Sequence, residues 1–338
     1  MSKDILKSYS VTAGAPSSTA NLGPGFDIFG LAVDAFEDYV SVEPITNDPV
    51  HDRINSKPSS PIRIKMIGKY RKSIPEEPGS NSAGLAIQKM IDEFDVKGSF
   101  SVRVEKNVPP GFGMGSSAAS AAAAVMAFNA LLKLDVAKLD LIRFAAEGEK
   151  ASAGSLHYDN VAASLLGGFV LVRPYSKIPK FIHITPPKDL YLVFAIPDLN
   201  VPARKTELAR KVLPEKVLLK HVVHNLSNAS TVVAGFLLKD VSMIASGMED
   251  IIVEPARKHL IPCFDNIRTS ALSAGALAVT ISGAGPSVVA ITSQEDQLET
   301  IENSMRNGFR NCDLSCNTVK CSPSQGARIV SRIDRFCK

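Results

Sequence analysis

The segment PPGFGMGSSAASAAAAVMAFNALL constrains the fold of this chain more than any other. Gly111, Gly113 and Gly115 occupy alternate positions, so the backbone amides of this loop can approach a ligand closely. Ser116 and Ser117 then begin an alanine-rich helix, whose small side chains allow it to pack closely inside its own domain. Because the amides at a helix N-terminus attract anions, the segment predicts a phosphate-binding loop.

The same segment also has a purely structural interpretation, as a glycine-rich turn that leads into a buried helix. It lacks the lysine of the GxxxxGK[ST] phosphate-binding motif, and that motif occurs nowhere in the chain. The pair of serines at the helix start favours anion binding over the structural interpretation.

The segment STANLGPGFD places Asn21 and Asp27 on either side of a turn that Gly23, Pro24 and Gly25 favour. Short apolar blocks flank the turn, which predicts two strands joined by it. An Asx-stabilised hairpin explains the two polar residues as well as a ligand site does. This segment alone therefore leaves both interpretations open.

A third polar segment, GEKASAGSLHYDN, holds Glu149, His157, Asp159 and Asn160. Glu149 could bind Mg²⁺ together with a serine hydroxyl, because this ion prefers hard oxygen ligands. A lone histidine is more often structural than catalytic, and Asp159 could simply cap a helix. By itself the segment is a weak indication of a site.

Two arginines in the second half each lie near a proline, in KTELARKVLP and VEPARKHLIP. Most arginines are solvated, but Arg210 and Arg257 together would suit a carboxylate or a phosphate ligand. The segment ISGAGPS reads as a tight turn between two short strands, in which the glycines need only serve the hairpin.

The 338 residues suffice for two domains, and strands and helices intermix without a regular alternation, which predicts an α+β fold. Proline and lysine are dense near 173–188, where we expect the domain boundary. The net charge of +4 is small and the basic residues are dispersed, so the sequence does not indicate nucleic-acid binding.

Four of the five cysteines lie beyond residue 311, but their spacing does not form a zinc knuckle. We expect free thiols in a reducing compartment. The N-terminus has no apolar stretch typical of a secretory signal, and the alanine-rich stretch is too short to span a bilayer. The sequence predicts a cytoplasmic protein that binds no membrane.

Taken together, STANLGPGFD, PPGFGMGSSAAS and ISGAGPS resemble the three signature regions of the GHMP kinase superfamily, in the family's order. The first of them, together with HYDNVAASLLGGF, TELARKVLP and EPARKHLIP, resembles the homoserine kinases within it. The resemblance extends from about Ala13 to Ile291. It implies phosphorylation of the L-homoserine hydroxyl by ATP with Mg²⁺, a step of threonine biosynthesis.

The resemblance also implies a two-domain fold of the α+β class and a homodimer. The N-terminal domain (1–178) would bind ATP and would resemble a ribosomal-protein domain. The C-terminal domain (179–338) would be ferredoxin-like.

Residue roles follow from the same resemblance. Asp27, His157 and Asn160 are the expected catalytic residues, with Asn160 near the reacting hydroxyl. The expected substrate-binding residues are Asn21, Asp27, His157, Asn160, Thr206, Arg210 and Arg257. The expected metal ligands are Ser117 and Glu149. The expected ATP-binding residues are Asn81, Pro110, Gly111, Gly113, Met114, Gly115, Ser116, Ser117 and Ala118.

The chain departs from the family pattern at Ala163, where proline is usual, and at Cys263, where glycine is common. Neither departure removes an expected ligand. Two alternatives stay open: another small-molecule kinase of the superfamily, of the mevalonate-pathway type, and a non-catalytic member that only binds nucleotide.

Overall fold

The computed structural model describes residues 9–45, 60–153, 156–175, 179–202 and 205–334. The strands are β1 (Tyr9–Asn21), β2 (Gly25–Pro44), β3 (Ile62–Ile67), β4 (Phe100–Glu105), β5 (Phe169–Arg173), β6 (Lys180–Ile184), β7 (Tyr191–Pro197), β8 (Ala278–Ile281), β9 (Val288–Thr292), β10 (Cys316–Cys321) and β11 (Arg328–Asp334). The helices are α1 (Ser82–Glu93), α2 (Ser116–Leu132), α3 (Lys138–Glu147), α4 (Lys150–Ala153), α5 (Asp159–Leu166), α6 (Lys205–Lys211), α7 (Leu219–Leu238), α8 (Val241–Ser246), α9 (Val253–Arg257), α10 (Phe264–Ser273) and α11 (Leu298–Arg310).

The larger sheet contains, within the described residues, seven strands in the order β11-β1-β2-β4-β3, with β5 paired to β2 and β6 to β5. Strand β2 is long enough to pair with β5 through Phe29–Leu31 and with β4 through Tyr39–Pro44. Strands β1 and β2 form the antiparallel hairpin that the first motif predicted. The turn of this hairpin reaches the C-terminal half, where the amide of Gly283 donates to the carbonyl of Ala20 (3.2 Å).

Helix α2 lies at the centre of the N-terminal half and contacts β1, β2 and the helices α1, α3 and α5. Its alanines are buried around the whole circumference of the helix, and Ala118, Ala121 and Ala124 have no exposed surface. The small side chains let the neighbouring strands and helices approach α2 closely, since bulkier ones would hold them farther apart. The prediction of a buried, closely packed helix is confirmed.

The smaller sheet has the strand order β10-β7-β9-β8, and its pairs are antiparallel. Helices α10 and α11 cover one face, where Ile267 and Phe309 pack against β7 and β9. On the other face Phe194 joins a core with Phe236 of α7 and Phe169 of β5, and the rings of Phe169 and Phe236 stack at 3.9 Å. This shared core holds the two halves of the chain together.

The strand pairing does not follow a single cut at residue 178. Strand β6 comes after that position but pairs with β5, and the C-terminal β11 pairs with β1. The larger sheet therefore takes strands from both sides of the expected boundary. In the described residues no helix is long and apolar enough to cross a membrane.

The expectation of free thiols is wrong for two cysteines. Cys263, just before α10, forms a disulfide with Cys312, just after α11, across a Cα–Cα distance of 6.3 Å. The packing of α10 on α11 brings together two cysteines that are 49 residues apart, which sequence spacing does not reveal. Cys316 and Cys321 are free thiols, and the described residues contain no group of three His, Cys, Asp or Glu side chains that could hold a metal.

Candidate active site

A cavity of about 720 Å³ lies between the two halves of the chain. One part of it, here called the loop end, is formed by the glycine loop (109–115), the first turn of α2 and Glu149. The other part, the arginine end, is formed by Phe26, Asp27, His157, Arg210 and Arg257. The expected site residues that line the cavity are Asn21, Asp27, Asn81, Pro110, Gly111, Gly113, Met114, Gly115, Ser116, Ser117, Glu149, His157, Asn160, Thr206, Arg210 and Arg257.

The glycine loop has a backbone conformation that needs glycine. Gly113 and Gly115 have φ values of 75° and 64°, in the left-handed region. A Cβ atom on Gly113 would lie 2.1 Å from the carbonyl oxygen of Ser282, and one on Gly115 would lie 2.0 Å from Ser18 Oγ. These glycines therefore allow neighbouring protein segments to approach the loop, in addition to leaving its amides open to the cavity.

A buried ion pair lies behind the glycine loop. The Lys106 ammonium contacts Asp38 and also donates to the Ser116 carbonyl (2.5 Å) and to Ser120 Oγ (2.8 Å). The other oxygen of Asp38 accepts hydrogen bonds from the amides of Asn107 and Val108, at 2.8 and 2.9 Å. The pair thus connects β2 to both the start of the loop and the first turn of α2. Burial lowers the pKa of Lys106, and the Asp38 carboxylate opposes this effect.

Ser117 and Glu149 meet at the loop end of the cavity, where Ser117 Oγ donates to Glu149 Oε1 at 2.6 Å. Burial raises the pKa of the Glu149 carboxyl to about 7, and the hydrogen bond from Ser117 opposes that rise. The two side chains present hard oxygens to the cavity. Mg²⁺ is commonly held by one or two such protein ligands together with substrate phosphates, so the pair fits this ion.

The first motif contributes side chains from a strained turn. Asn21 and Asp27 have φ values of 73° and 59°, a conformation in which asparagine and aspartate are enriched among residues with side chains. Asn21 Nδ2 donates to the carbonyl of Gly283 (2.8 Å), and its Oδ1 accepts from the amide of Asp27 (3.3 Å). Asn21 therefore ties the turn to the C-terminal half and orients Asp27.

The two arginines lie on the ring of Phe26. The Arg210 and Arg257 guanidinium carbons are 5.1 and 4.9 Å from the ring centroid, within the range of cation–π interactions. Arg210 Nη2 lies 2.6 Å from Asp27 Oδ1, and Arg257 Nε donates to the carbonyl of Ala209 at 2.9 Å. Burial, followed by the charge of Arg210, lowers the pKa of Arg257 to about 10.

This arrangement leaves hydrogen-bonding capacity at the arginine end. Arg210 Nε is buried and has no partner among the described residues. A buried donor without a partner costs roughly 1–3 kcal/mol, so a bound anion that accepted this hydrogen bond would be stabilised.

His157 positions Arg210. Arg210 Nη2 donates to His157 Nδ1 at 2.9 Å, which requires that nitrogen to carry no proton. Burial, followed by the charges of Arg210 and Arg257, lowers the pKa of His157, while Asp27 opposes this shift. His157 therefore accepts a hydrogen bond from Arg210 as a neutral ring.

Asp159 and Asn160 lie in the first turn of α5, beside the glycine loop. Asp159 Oδ1 accepts from the amide of Asn160 (2.7 Å), and Ser18 Oγ donates to Asn160 Oδ1 (2.9 Å). Burial and then the Asp27 carboxylate raise the pKa of Asp159 to about 6. The Asn160 side chain is thereby held where the loop end meets the arginine end.

Two expected residues have mainly structural contacts. Asn81 lines the cavity, but its Oδ1 accepts from the amides of Ala83 and Gly84 as the N-cap of α1, and its Nδ2 donates to Pro75. Ala118 is buried in the core and does not line the cavity. A contact of Asn81 with adenine, and the assignment of Ala118 to ATP binding, stay predictions.

The sequence did not identify several residues of the site. Phe26 stands inside the first motif, yet only the fold shows that two arginines share its ring. Asp38 could have been found from the sequence, since a carboxylate at an inward-facing position of a strand needs a buried partner. Neither Lys106 nor Lys205, which also lines the cavity, stands out from the other lysines of the chain.

Two family models match the chain. That of the N-terminal domain of GHMP kinases matches residues 81–168, and that of their C-terminal domain matches residues 232–311. The first range contains the glycine loop and α5, and the second contains Arg257 and the β8–β9 turn. The α+β, two-domain fold expected from the motifs is confirmed.

Similar proteins have been described. A homoserine kinase of Aeropyrum pernix is 39% identical over 94% of this chain and 97% of its own length. The crystal structure of homoserine kinase from Cytophaga hutchinsonii superposes with a TM-score of 0.85 at 34% identity, over 95% of this chain and 97% of the other. The L. major mevalonate kinase shares the fold, with a TM-score of 0.63 at 16% identity over 94% of this chain and 96% of its own. The chain belongs to the homoserine kinase family of the GHMP kinases.

Proposed function

We propose that this enzyme transfers the γ-phosphoryl group of ATP to the side-chain hydroxyl of L-homoserine, forming O-phospho-L-homoserine for threonine synthesis. The observation that carries the proposal is that one cavity joins a glycine-rich loop at a helix N-terminus to two arginines beside a carboxylate, of which Arg257 is buried and Arg210 half-buried. The first feature suits a nucleotide triphosphate, and the second suits the carboxylate and the ammonium of an amino acid.

The arginine end would bind the amino-acid part of homoserine. Arg257 and Arg210 would clamp its carboxylate, which could accept the hydrogen bond that Arg210 Nε does not make within the described protein. Asp27 would bind the ammonium, taking it as a second cationic partner beside Arg210. Asn21 would keep Asp27 in place, and Thr206 would complete the pocket wall.

The loop end would bind ATP. The backbone amides of the glycine loop and the N-terminus of α2 would surround the triphosphate. Ser117 and Glu149 would hold Mg²⁺, and the hydrogen bond between them already brings their oxygens together. When bound, this ion neutralises charge on the transferring phosphoryl group.

Positioning explains the chemistry better than a strong base does. Phosphoryl transfer depends mostly on alignment and on charge stabilisation. Asn160, whose side chain accepts from Ser18 Oγ and whose amide donates to the Asp159 carboxylate, would orient the homoserine hydroxyl toward the phosphate. His157 would act by holding Arg210. The alternative makes Asp159 or Asp27 a general base, with Asp159 ionised above its pKa of about 6.

Measuring ADP release with homoserine, mevalonate and galactose tests the substrate directly. We expect release with homoserine and a phosphomonoester product detectable by ³¹P NMR. Release with mevalonate in place of homoserine would overturn the substrate assignment. Nucleotide binding without release on any substrate would favour a non-catalytic member.

We further propose that the enzyme is a cytoplasmic homodimer, as the family resemblance implies. Helix α7 supports a contact between two copies, because Leu219, Val223 and Leu226 expose more than half of their surface. Sedimentation of the wild type and of Leu226→Glu tests this: the wild type should sediment as a dimer and the variant as a monomer. A monomeric wild type would refute the proposal.

A further inference from the structure

Lys205 lies at the start of α6, directly before Thr206, and its ammonium points into the β8–β9 turn. Its Nζ donates to the carbonyl oxygens of Ala284 and Gly285. The side chain lines the same cavity as the glycine loop and the arginines. Which ligand Lys205 could bind therefore depends on whether its ammonium lies nearer the loop end or the arginine end of the cavity.

The β8–β9 turn packs directly on the glycine loop. Ser282 Oγ donates to the carbonyl of Gly113 at 2.7 Å, and a Cβ atom on Gly113 would lie 2.9 Å from the Gly285 oxygen. Because Lys205 Nζ contacts that same oxygen, its charge lies next to the middle of the glycine loop. Val201 lies over the loop as well, since its Cγ1 would be 2.8 Å from a Cβ on Gly111.

Lys205 differs from Lys106 and Arg210 in its partners and resembles Arg257, which also donates to backbone carbonyls. Lys106 pairs with Asp38, Arg210 pairs with Asp27, and Arg257 lies on the ring of Phe26. Lys205 contacts two carbonyl oxygens and, among the described residues, makes no ion pair with a carboxylate. A mostly buried cation without a counter-charge is unfavourable, so an anion that reached it would be stabilised.

We propose that Lys205 is a nucleotide-binding residue, whose ammonium contacts the terminal phosphate of ATP. The inference rests on the proposed function, in that it takes the glycine loop as the triphosphate site. A cation in that position would also offset charge on the phosphoryl group as it moves toward the hydroxyl. Lys205 would then serve binding and transfer together.

The protonation state of Lys205 makes the proposed phosphate contact measurable. Burial and then the charge of Arg257 lower the pKa of Lys205 to about 7. Besides Arg257 on α9, the charged or titratable groups near this side of the cavity are Arg210 on α6, and Asp27 and His157 across it. The β8–β9 turn and the glycine loop have no titratable side chain. A phosphate bound at Lys205 would favour the ammonium and draw a proton from solvent.

Calorimetric titration of the enzyme with Mg²⁺ and a non-hydrolysable ATP analogue at pH 8, in two buffers of different ionisation enthalpy, measures this proton. At that pH Glu149 and Asp159 are already mostly ionised, because their pKa values are about 7 and about 6. We expect uptake of nearly one proton by the wild type, since a lysine with a pKa near 7 is about nine-tenths neutral at pH 8. Lys205→Arg should bind the analogue with no uptake, because arginine stays protonated.

Lys205→Met should weaken analogue binding at pH 7 at least about tenfold, as expected for loss of a charge-assisted hydrogen bond. It should raise the KM for ATP and leave that for homoserine unchanged. Lys239→Met is the matched control, because Lys239 also donates to a backbone carbonyl, that of Thr185, away from the cavity. Its binding and proton uptake should equal those of the wild type.

A wild type that takes up no proton, or a Lys205→Met enzyme with normal nucleotide affinity, would overturn the inference. If Lys205 had only a structural role, Lys205→Met would have a lower melting temperature than the wild type. Such a role would not explain the uptake of a proton by the wild type when it binds the analogue. The binding experiment contains no homoserine. A failure of the proposed function would therefore appear in the ADP-release assay and leave the result on Lys205 intact.

Discussion

The two ends of the cavity are built in different ways. The loop end consists mainly of backbone amides and small side chains from one continuous segment, supported from behind by the buried pair of Lys106 and Asp38. The arginine end consists of charged and aromatic side chains that come from the start of β2, the segment just before α5, and the helices α6 and α9. A site made of backbone depends on the local fold, whereas a site made of side chains depends on how distant segments are packed.

Substitutions at the two ends of the cavity should therefore have different effects. Disturbing the support of the loop end should cost stability before it costs specificity. Disturbing the arginine end should cost substrate recognition while the fold persists. The variants below test this distinction, beginning with the largest expected effect.

Asp38→Ala should lower the free energy of unfolding by about 3–5 kcal/mol, because it leaves the buried Lys106 ammonium without its carboxylate. Chemical denaturation followed by circular dichroism measures the loss. The double variant Asp38→Leu/Lys106→Met should recover part of it, since it removes both buried charges. A single variant as stable as the wild type would show that the pair does not support the loop end.

Arg257→Ala should raise the KM for homoserine at least about thirtyfold, because truncating a buried, charge-paired contact typically costs about 2–5 kcal/mol. The KM for ATP and the fold should change little. Arg143→Ala provides a control, since Arg143 pairs with Glu93 on the surface. A normal KM for homoserine in Arg257→Ala would remove this residue from the proposed site.

Asn160→Ala should lower kcat about a hundredfold, as expected when a reacting group loses its alignment. Asp159→Asn should keep kcat within about tenfold of the wild type, since the asparagine oxygen can still accept from the Asn160 amide. If Asp159 were the base, its raised pKa means that wild-type kcat would fall as the pH drops through about 6, where the carboxylate becomes protonated. Such a fall that disappears in Asp159→Asn, together with a large loss of kcat in that variant, would refute positioning.

Gly115→Val should weaken nucleotide binding about tenfold or more. The side chain would be strained at a φ of 64° and would meet Ser18 Oγ, for a cost of roughly 1–2 kcal/mol from the backbone alone. Gly98→Val is the control, because Gly98 has a φ of 117° but no atom within 4 Å of a Cβ. Unchanged calorimetric affinity in Gly115→Val would contradict the assignment of the glycine loop to phosphate.

The sequence was more informative about the loop end than about the arginine end. The order of glycines, serines and alanines in residues 111–124 predicted a loop, a helix start and a buried helix, and these features are local. Residue types alone indicated that Asn21, Asp27 and Arg257 could contact a ligand, but their assignment to one homoserine site came from resemblance to a family, because their spacing along the chain says nothing about their separation in space.

The sequence by itself determined the hairpin turn, the buried helix and the presence of the signature motifs, because glycine conformation, helix capping and side-chain bulk act over a few residues. Only the tertiary structure decided that Arg210 and Arg257 share the ring of Phe26, that Cys263 is bonded to Cys312, and that Lys205 lies beside the glycine loop. Each of these contacts joins segments far apart in the chain. Their formation depends on the packing of sheets and helices, which local residue preferences do not encode.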